Sequence, residues 1–322
     1  MALITSTKLT DDQSEKLQAI IGQLPKIIEQ LENPEYDEIF GYRINTSDKE
    51  GVNENVRNEI LYKYLVATEF DVALTVERLV KTLNWRNTFR PLSAAYKEKF
   101  ESDFEDLGVI TVFDSNKENL SVVTWNLYKN IKSPKKLFEK QNEKETLPGT
   151  PFLRWRIGLM ERSLSQIDFT STDNNKIAQI HDYKDVSFFK VDPGMKEATK
   201  EIIAIFGDHY PELLSIKFFM NVPTLMSWMF AFVRLLGVGA ATVKKFQVLN
   251  SGDVSSWFPK KQLPAAYGGE VTGKPEEALN DLQNAHVPSV PVYGKLFLED
   301  TVIAKAETAA AEAPTAETLT VD

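Results

Sequence analysis

Asp208-His209-Tyr210-Pro211-Glu212 opens the stretch, residues 208–269, on which the reading of this chain turns. An apolar strand follows, then Asn221-Val222-Pro223, then a run of apolar residues to Gly237. Beyond it stand Ala241-Thr242-Val243-Lys244-Lys245-Phe246 and, last, Leu263-Pro264-Ala265-Ala266-Tyr267-Gly268-Gly269. Physically this is a helix stopped by a proline, a buried strand, and a helix from Thr224 to Gly237 with apolar side chains on nearly every face. A helix that is apolar all round is either a buried core helix or contacts something greasy. Met226, Met229, Trp228, Phe230 and Phe232 suit a surface that has to repack.

Working outward, strands and helices alternate from about Asp106. Val109 to Phe113 and Leu120 to Leu127 are rich in β-branched and aromatic residues. Thr150-Pro151 is a cap followed by proline at the first helical position, which opens a helix to about Leu164. Lys176 to Val191 reads as a strand region, Gly194 to Gly207 as a helix, and Ser215 to Val222 as a buried strand. Such alternation predicts an α/β sandwich with a largely parallel sheet. Upstream, Thr10-Asp11-Asp12 starts a helix whose apolar stripe runs from Leu17 to Leu31, with a kink or break expected at Pro25. A second helical block covers 55–90. The divisions are a helical domain at 1–95, an α/β domain at 96–301, and an Ala/Glu/Thr-rich acidic tail at 302–322 expected to be disordered.

The 322 residues are 43% hydrophobic and 11% aromatic, enough to bury a large core. A net charge of −9 argues against nucleic-acid binding. With no cysteine there is no disulfide and no thiolate metal site. No signal peptide is expected at Met1-Ala2-Leu3-Ile4-Thr5, and no run reaches the roughly 18 apolar residues of a membrane span. The expectation is a soluble, cytoplasmic protein. Nucleophile-elbow, dinucleotide and phosphate-loop motifs are missing, so no catalytic residue is assigned. Glu29, Glu32, Glu35 and Asp37 read as a solvated face and loop, and His209 as a cation at a helix end.

Together, the four landmarks of residues 208–269 resemble the CRAL-TRIO (Sec-fourteen-like) lipid-binding family. The resemblance implies an N-terminal helical domain, an α/β domain with a gated hydrophobic cavity, and the helix Thr224 to Gly237 as its gate. It also implies phosphatidylinositol as ligand, with Glu212, Thr242 and Lys245 at the headgroup phosphate, and transient peripheral contact with membranes such as the endoplasmic reticulum. Where the family usually has a basic residue before Phe70-Asp71, this chain has Glu69. That weakens the expected pairing with Glu212 and tells against phosphatidylcholine.

One motif is left over. In Ile180-His181-Asp182-Tyr183-Lys184-Asp185, residues two apart on a strand share a face, so His181 and Tyr183 project together. A solvent-facing pair, or a mutual hydrogen bond, accounts for them as residues alone. Three histidines and no cysteine cannot supply the roughly four ligands of a zinc site, whereas haem needs one strong axial ligand. The His-x-Tyr pattern resembles the fungal Sec-fourteen homologue-five subfamily, and this implies haem b with Tyr183 as the iron ligand and His181 in support. Arg156 and Lys217 are then cations for propionates or for a tyrosinate charge, with Tyr128 a further candidate. The functional expectation is a phosphatidylinositol transfer protein that also binds haem. The alternative is a dedicated haem-binding redox or stress sensor without lipid exchange.

Overall fold

The computed structural model describes residues 2–115, 117–131, 147–186, 193–222 and 240–298. Helix α1 (Asp11–Glu29) starts on a reciprocal cap. The Thr10 hydroxyl accepts from the Gln13 N–H, and the Gln13 side chain accepts from the Thr10 N–H. The helix runs unbroken through Pro25, against expectation. Pro25 lies on the exposed side, where water can serve the carbonyl that loses its donor. A short hairpin, β1 (Glu38–Ile39) and β2 (Tyr42–Arg43), leads to α2 (Glu54–Ala67) and α3 (Val72–Phe89). The helical block at 55–90 is thus two helices, parted where Glu69 and Phe70 take left-handed backbone at φ 53° and 64°. Asp71 caps the second, accepting from the Leu74 N–H at 3.0 Å.

Short helices α4 (Pro91–Tyr96) and α5 (Ser102–Glu105) precede the main sheet of β3 (Gly108–Val112), β4 (Val122–Leu127), β5 (Ile177–Asp182), β6 (Leu214–Met220) and β7 (Phe246–Val248). These lie side by side in chain order. The first pair is antiparallel and the other three are parallel. Helices α6 (Pro151–Leu164) and α7 (Pro193–His209) make the β4–β5 and β5–β6 crossovers, α8 (Ala240–Val243) precedes β7, and α9 (Pro275–Asn284) packs near β3. The strand expected over 176–191 ends at Asp182, and a turn begins at Lys184.

The two faces of the sheet differ. On one, Val123, Trp125, Leu127, Ala178, Ile180, Phe218 and Met220 join a core covered by Val254, Phe258, Leu263, Tyr267 and Leu279. The alternate positions are Thr124 and Asn126 on β4, Gln179 and His181 on β5, and Lys217 on β6. This polar set points toward α6, where the Gln179 amide reaches Met160 and Arg156 acts electrostatically on both His181 and Lys217.

A larger apolar cluster joins Leu17, Ile20 and Leu24 of α1, Ile60 and Leu61 of α2 and Leu79 of α3 to Phe152, Trp155 and Ile157 of α6. At its centre Arg86 bridges two carboxylates, Glu38 at 2.8 Å and Glu161 at 2.6 Å. Tyr210 donates to Glu161 at 2.7 Å and Tyr36 to Glu38 at 3.1 Å. Asp37 is 1% exposed, contrary to its reading as a solvated loop, and accepts from Arg43 and Asn45. After α9 the chain returns to the N-terminal hairpin. There the Gly294 N–H donates to the Gly41 carbonyl at 3.0 Å, the Tyr293 hydroxyl donates to Asp37, and Phe297 packs on Tyr36.

Candidate ligand site

The C-terminal end of β5 is pinned from the apolar side. Asp182 accepts from Asn221 at 2.7 Å, from Tyr267 at 3.1 Å and from the Lys184 N–H at 2.9 Å. The Tyr183 N–H donates to the Met220 carbonyl at 3.1 Å, so the chain stays extended one residue past the strand. With Asp182 committed to one face, His181 and Tyr183 both lie on the other. Tyr128, on the turn after β4, joins them: its hydroxyl is 2.7 Å from His181 Nδ1 and is hydrogen-bonded to Tyr183. The Tyr128 ring lies 4.9 Å from that of Tyr183 and 5.6 Å from that of His181. Phe219 packs beside His181 at 5.5 Å and Tyr183 at 6.4 Å.

Arg156 from α6 and Lys217 from β6 complete the group. Arg156 is 2% exposed, its guanidinium sits over Phe206 at 4.9 Å, and both terminal nitrogens are buried without a hydrogen-bond acceptor. The Lys217 ammonium lies over Phe219 at 5.5 Å and Phe246 at 5.9 Å. His181 Nε2 is also buried and unpartnered. Burial lowers Arg156 to about 10 and Lys217 to about 7, where Arg156 adds to the effect. Burial, then Lys217 and Arg156, hold His181 well below its ordinary value, so the imidazole is neutral.

Tyr128 is pushed up to about 12 by burial despite the opposing Arg156, and Tyr183 is raised well above 10 by burial and by Tyr128. Burial and Tyr128 act on Tyr183 in the same direction, and the ligand-free side chain is a neutral phenol. Among the described residues, no carboxylate acts on these five groups. The site therefore offers hydrogen-bond donors and positive potential to a ligand that brings negative charge.

A second group lies at the opposite, N-terminal end of the parallel strands. Glu212, at the entry to β6, takes left-handed backbone at φ 52° and pairs with Lys245 at 3.3 Å. Thr242 sits on α8, its carbonyl accepting from the Lys245 N–H at 3.0 Å. Lys63 of α2, not singled out from the sequence, donates to the carbonyls of Asn175 at 3.1 Å and Glu212 at 3.3 Å. Burial, with Lys176 beside it, lowers Lys63 to about 7. So α2 reaches Glu212 through its backbone, despite Glu69. The gate helix Thr224 to Gly237 and the acidic tail lie outside the described residues. His209 is no helix-end cation. It stacks on Trp85 at 4.3 Å, bonds Thr82 at 3.0 Å, and is lowered by burial to about 4.

Among the described residues, no cluster of three or more His, Cys, Asp or Glu could hold a metal ion, and no helix is long and apolar enough to cross a membrane. Residues 106–269 match the CRAL/TRIO domain. Over 302 residues the chain is 55% identical to the phosphatidylinositol transfer protein SFH5 of Candida albicans, covering 92% of both chains. The Saccharomyces cerevisiae protein of the same name is 37% identical over 281 residues, 84% of this chain and 90% of the relative. The crystal structure of Sfh5 superposes with a TM-score of 0.80 at 36% identity, covering 92% of this chain and all of that one. These relatives are named as transfer proteins, not as enzymes.

Proposed function

This chain belongs to the CRAL/TRIO domain family, and from that membership we propose that it carries phosphatidylinositol between membranes and also binds haem b. The observation that carries the haem reading is the Arg156 guanidinium, buried with both terminal nitrogens unpartnered beside Lys217, His181 and two tyrosines. An unmatched buried cation is costly, and a ligand carboxylate removes that cost. The residues fit a ferric porphyrin: Tyr183 oxygen for the iron, Arg156 and Lys217 for the propionates, and Phe219 with Tyr128 as flat apolar surface. Bound haem would supply the positive iron charge that an otherwise neutral Tyr183 needs in order to ionise. His181 acts through Tyr128, which orients both side chains.

Phosphatidylinositol rests on the names of the relatives and on the second group. There Lys245 offers a cation to the headgroup phosphate and Thr242 a hydroxyl, with Glu212 holding Lys245 in place. The protein works in the cytoplasm and meets endoplasmic-reticulum membranes peripherally. A dedicated haem sensor without lipid exchange is the second reading, favoured by the polar character of the sheet face beneath the site.

The test is an absorbance spectrum of purified protein after incubation with hemin, beside Tyr183→Phe. A Soret band of high-spin ferric type that is lost or displaced in the variant is expected; a wild type that stays colourless ends the haem reading. Vesicle-to-vesicle transfer of labelled phosphatidylinositol by wild type, with about tenfold loss in Lys245→Ala, is the parallel expectation for the lipid.

A further inference from the structure

A β-strand with one apolar and one polar face normally turns the polar side to water. Here Thr124 is 0%, Asn126 1%, Gln179 4% and His181 5% exposed. Their burial is only partly compensated. Thr124 Oγ1 and Asn126 Oδ1 have no hydrogen-bond partner, nor do His181 Nε2 and the Arg156 nitrogens above them. Asn126 spends its amide on the Ile180 carbonyl at 3.1 Å, and the Gln179 amide reaches the Met160 sulfur at 3.9 Å. In register, Thr124, Gln179 and Lys217 form one row across three strands, with Asn126, His181 and Phe219 in the next. Apolar residues flank these rows: Ile110 stands opposite Thr124 on β3, Phe219 lies in the second row, and Val122 and Ile177 follow toward the other end of this face.

A hydrocarbon chain laid on these rows would offer none of these buried polar atoms a hydrogen bond. A ligand with oxygen or nitrogen groups, or ordered water, meets them. We propose that Thr124, Gln179 and Lys217 form an acyl-excluding floor. They set ligand specificity by keeping lipid tails off the centre of the sheet and reserving it for a ligand with polar groups. This deepens the lipid-and-haem reading above and rests on it for the identity of the competing ligands. Gln179 lies beside Lys217 in register and Thr124 beside Gln179, and neither is one of the proposed ligand contacts.

The test uses the full chain carrying Thr124→Val and Gln179→Leu, checked for an unchanged circular-dichroism spectrum. Uptake of phosphatidylinositol and of phosphatidylcholine with the same fluorescent acyl chain is measured from vesicles. At least about tenfold more acyl lipid retained than in wild type is expected, from removal of two unmet polar groups. Uptake at or below wild type in folded protein overturns the floor. Should the double variant fail to fold, Gln179→Met alone, close in volume, must still show a gain. Equal gains for the two lipids would leave the floor standing and remove phosphatidylinositol as the preferred headgroup, so the two readings fail separately.

Discussion

At the scale of single residues, side chains that looked alike in the sequence divide by what surrounds them. His181 and His209 are both buried and both neutral, yet only His181 keeps a nitrogen without a partner. His209 bonds Thr82 through Nδ1 and stacks on Trp85. Its neutral form is the folded form, with a value near 4 set first by burial and then by Lys81, Arg86 and Arg78 against Asp208. The unfolded chain takes up this proton first, near 6.5. Its contribution to stability is therefore complete above that pH, is lost as pH falls toward 4, and is constant below. Chemical denaturation between pH 7 and 4 should show His209→Gln losing less stability than wild type over that window, by at most about 3 kcal/mol. An identical slope in the two proteins would dismiss His209 as a source of acid sensitivity.

At the scale of elements, the Arg86 bridge couples β1, α3 and α6 by charge. Two carboxylates share one guanidinium, and Glu38 is raised by burial and by Glu161, with Arg86 opposing. Removing the cation strands both acids, whereas removing one acid leaves a balanced pair. Arg86→Leu should therefore cost about 3–5 kcal/mol and Glu161→Gln distinctly less, about 1–3 kcal/mol, by denaturant titration. The reverse order would mean that Glu161 packing, not charge, holds α6. Much at this scale was legible. Caps at Thr10 and Thr150 mark helix starts, and Gly268 at φ 88° beside Gly269 lets the chain close over Leu263, where a Cβ on Gly269 would stand 1.8 Å from its carbonyl. Strand alternation put His181 and Tyr183 on one face, and the resemblance named Arg156, Lys217 and Tyr128 beside them. Lys63 was not, because a lysine in the middle of a helix carries no mark of the two carbonyls it will meet. The polar sheet face escaped for a related reason. Alternation shows which residues share a face, but whether water or a helix covers that face is decided by elements far along the chain.

At the scale of the whole molecule, the last described segment closes against the first hairpin. Tyr293 gives its hydroxyl to Asp37, stacks under Arg43 at 5.2 Å, and lies edge-on to Phe297 at 5.4 Å. Tyr293→Phe leaves Asp37 its Arg43 and Asn45 donors and should cost about 1 kcal/mol, while Tyr293→Ala also forfeits ring packing and should cost about 3–5 kcal/mol. Hydrogen exchange checks the assignment. Amides of residues 36–44 should lose protection in Tyr293→Ala, and loss confined to 285–298 would show that the segment is a passive appendage. The Tyr293–Asp37 bond spans 256 residues. During translation, at roughly 5–20 residues per second, the hairpin made early must wait many seconds for its final partner to leave the ribosome. Over that interval the nascent chain carries an unfinished N-terminal surface, and a chaperone has its longest opportunity to hold it there.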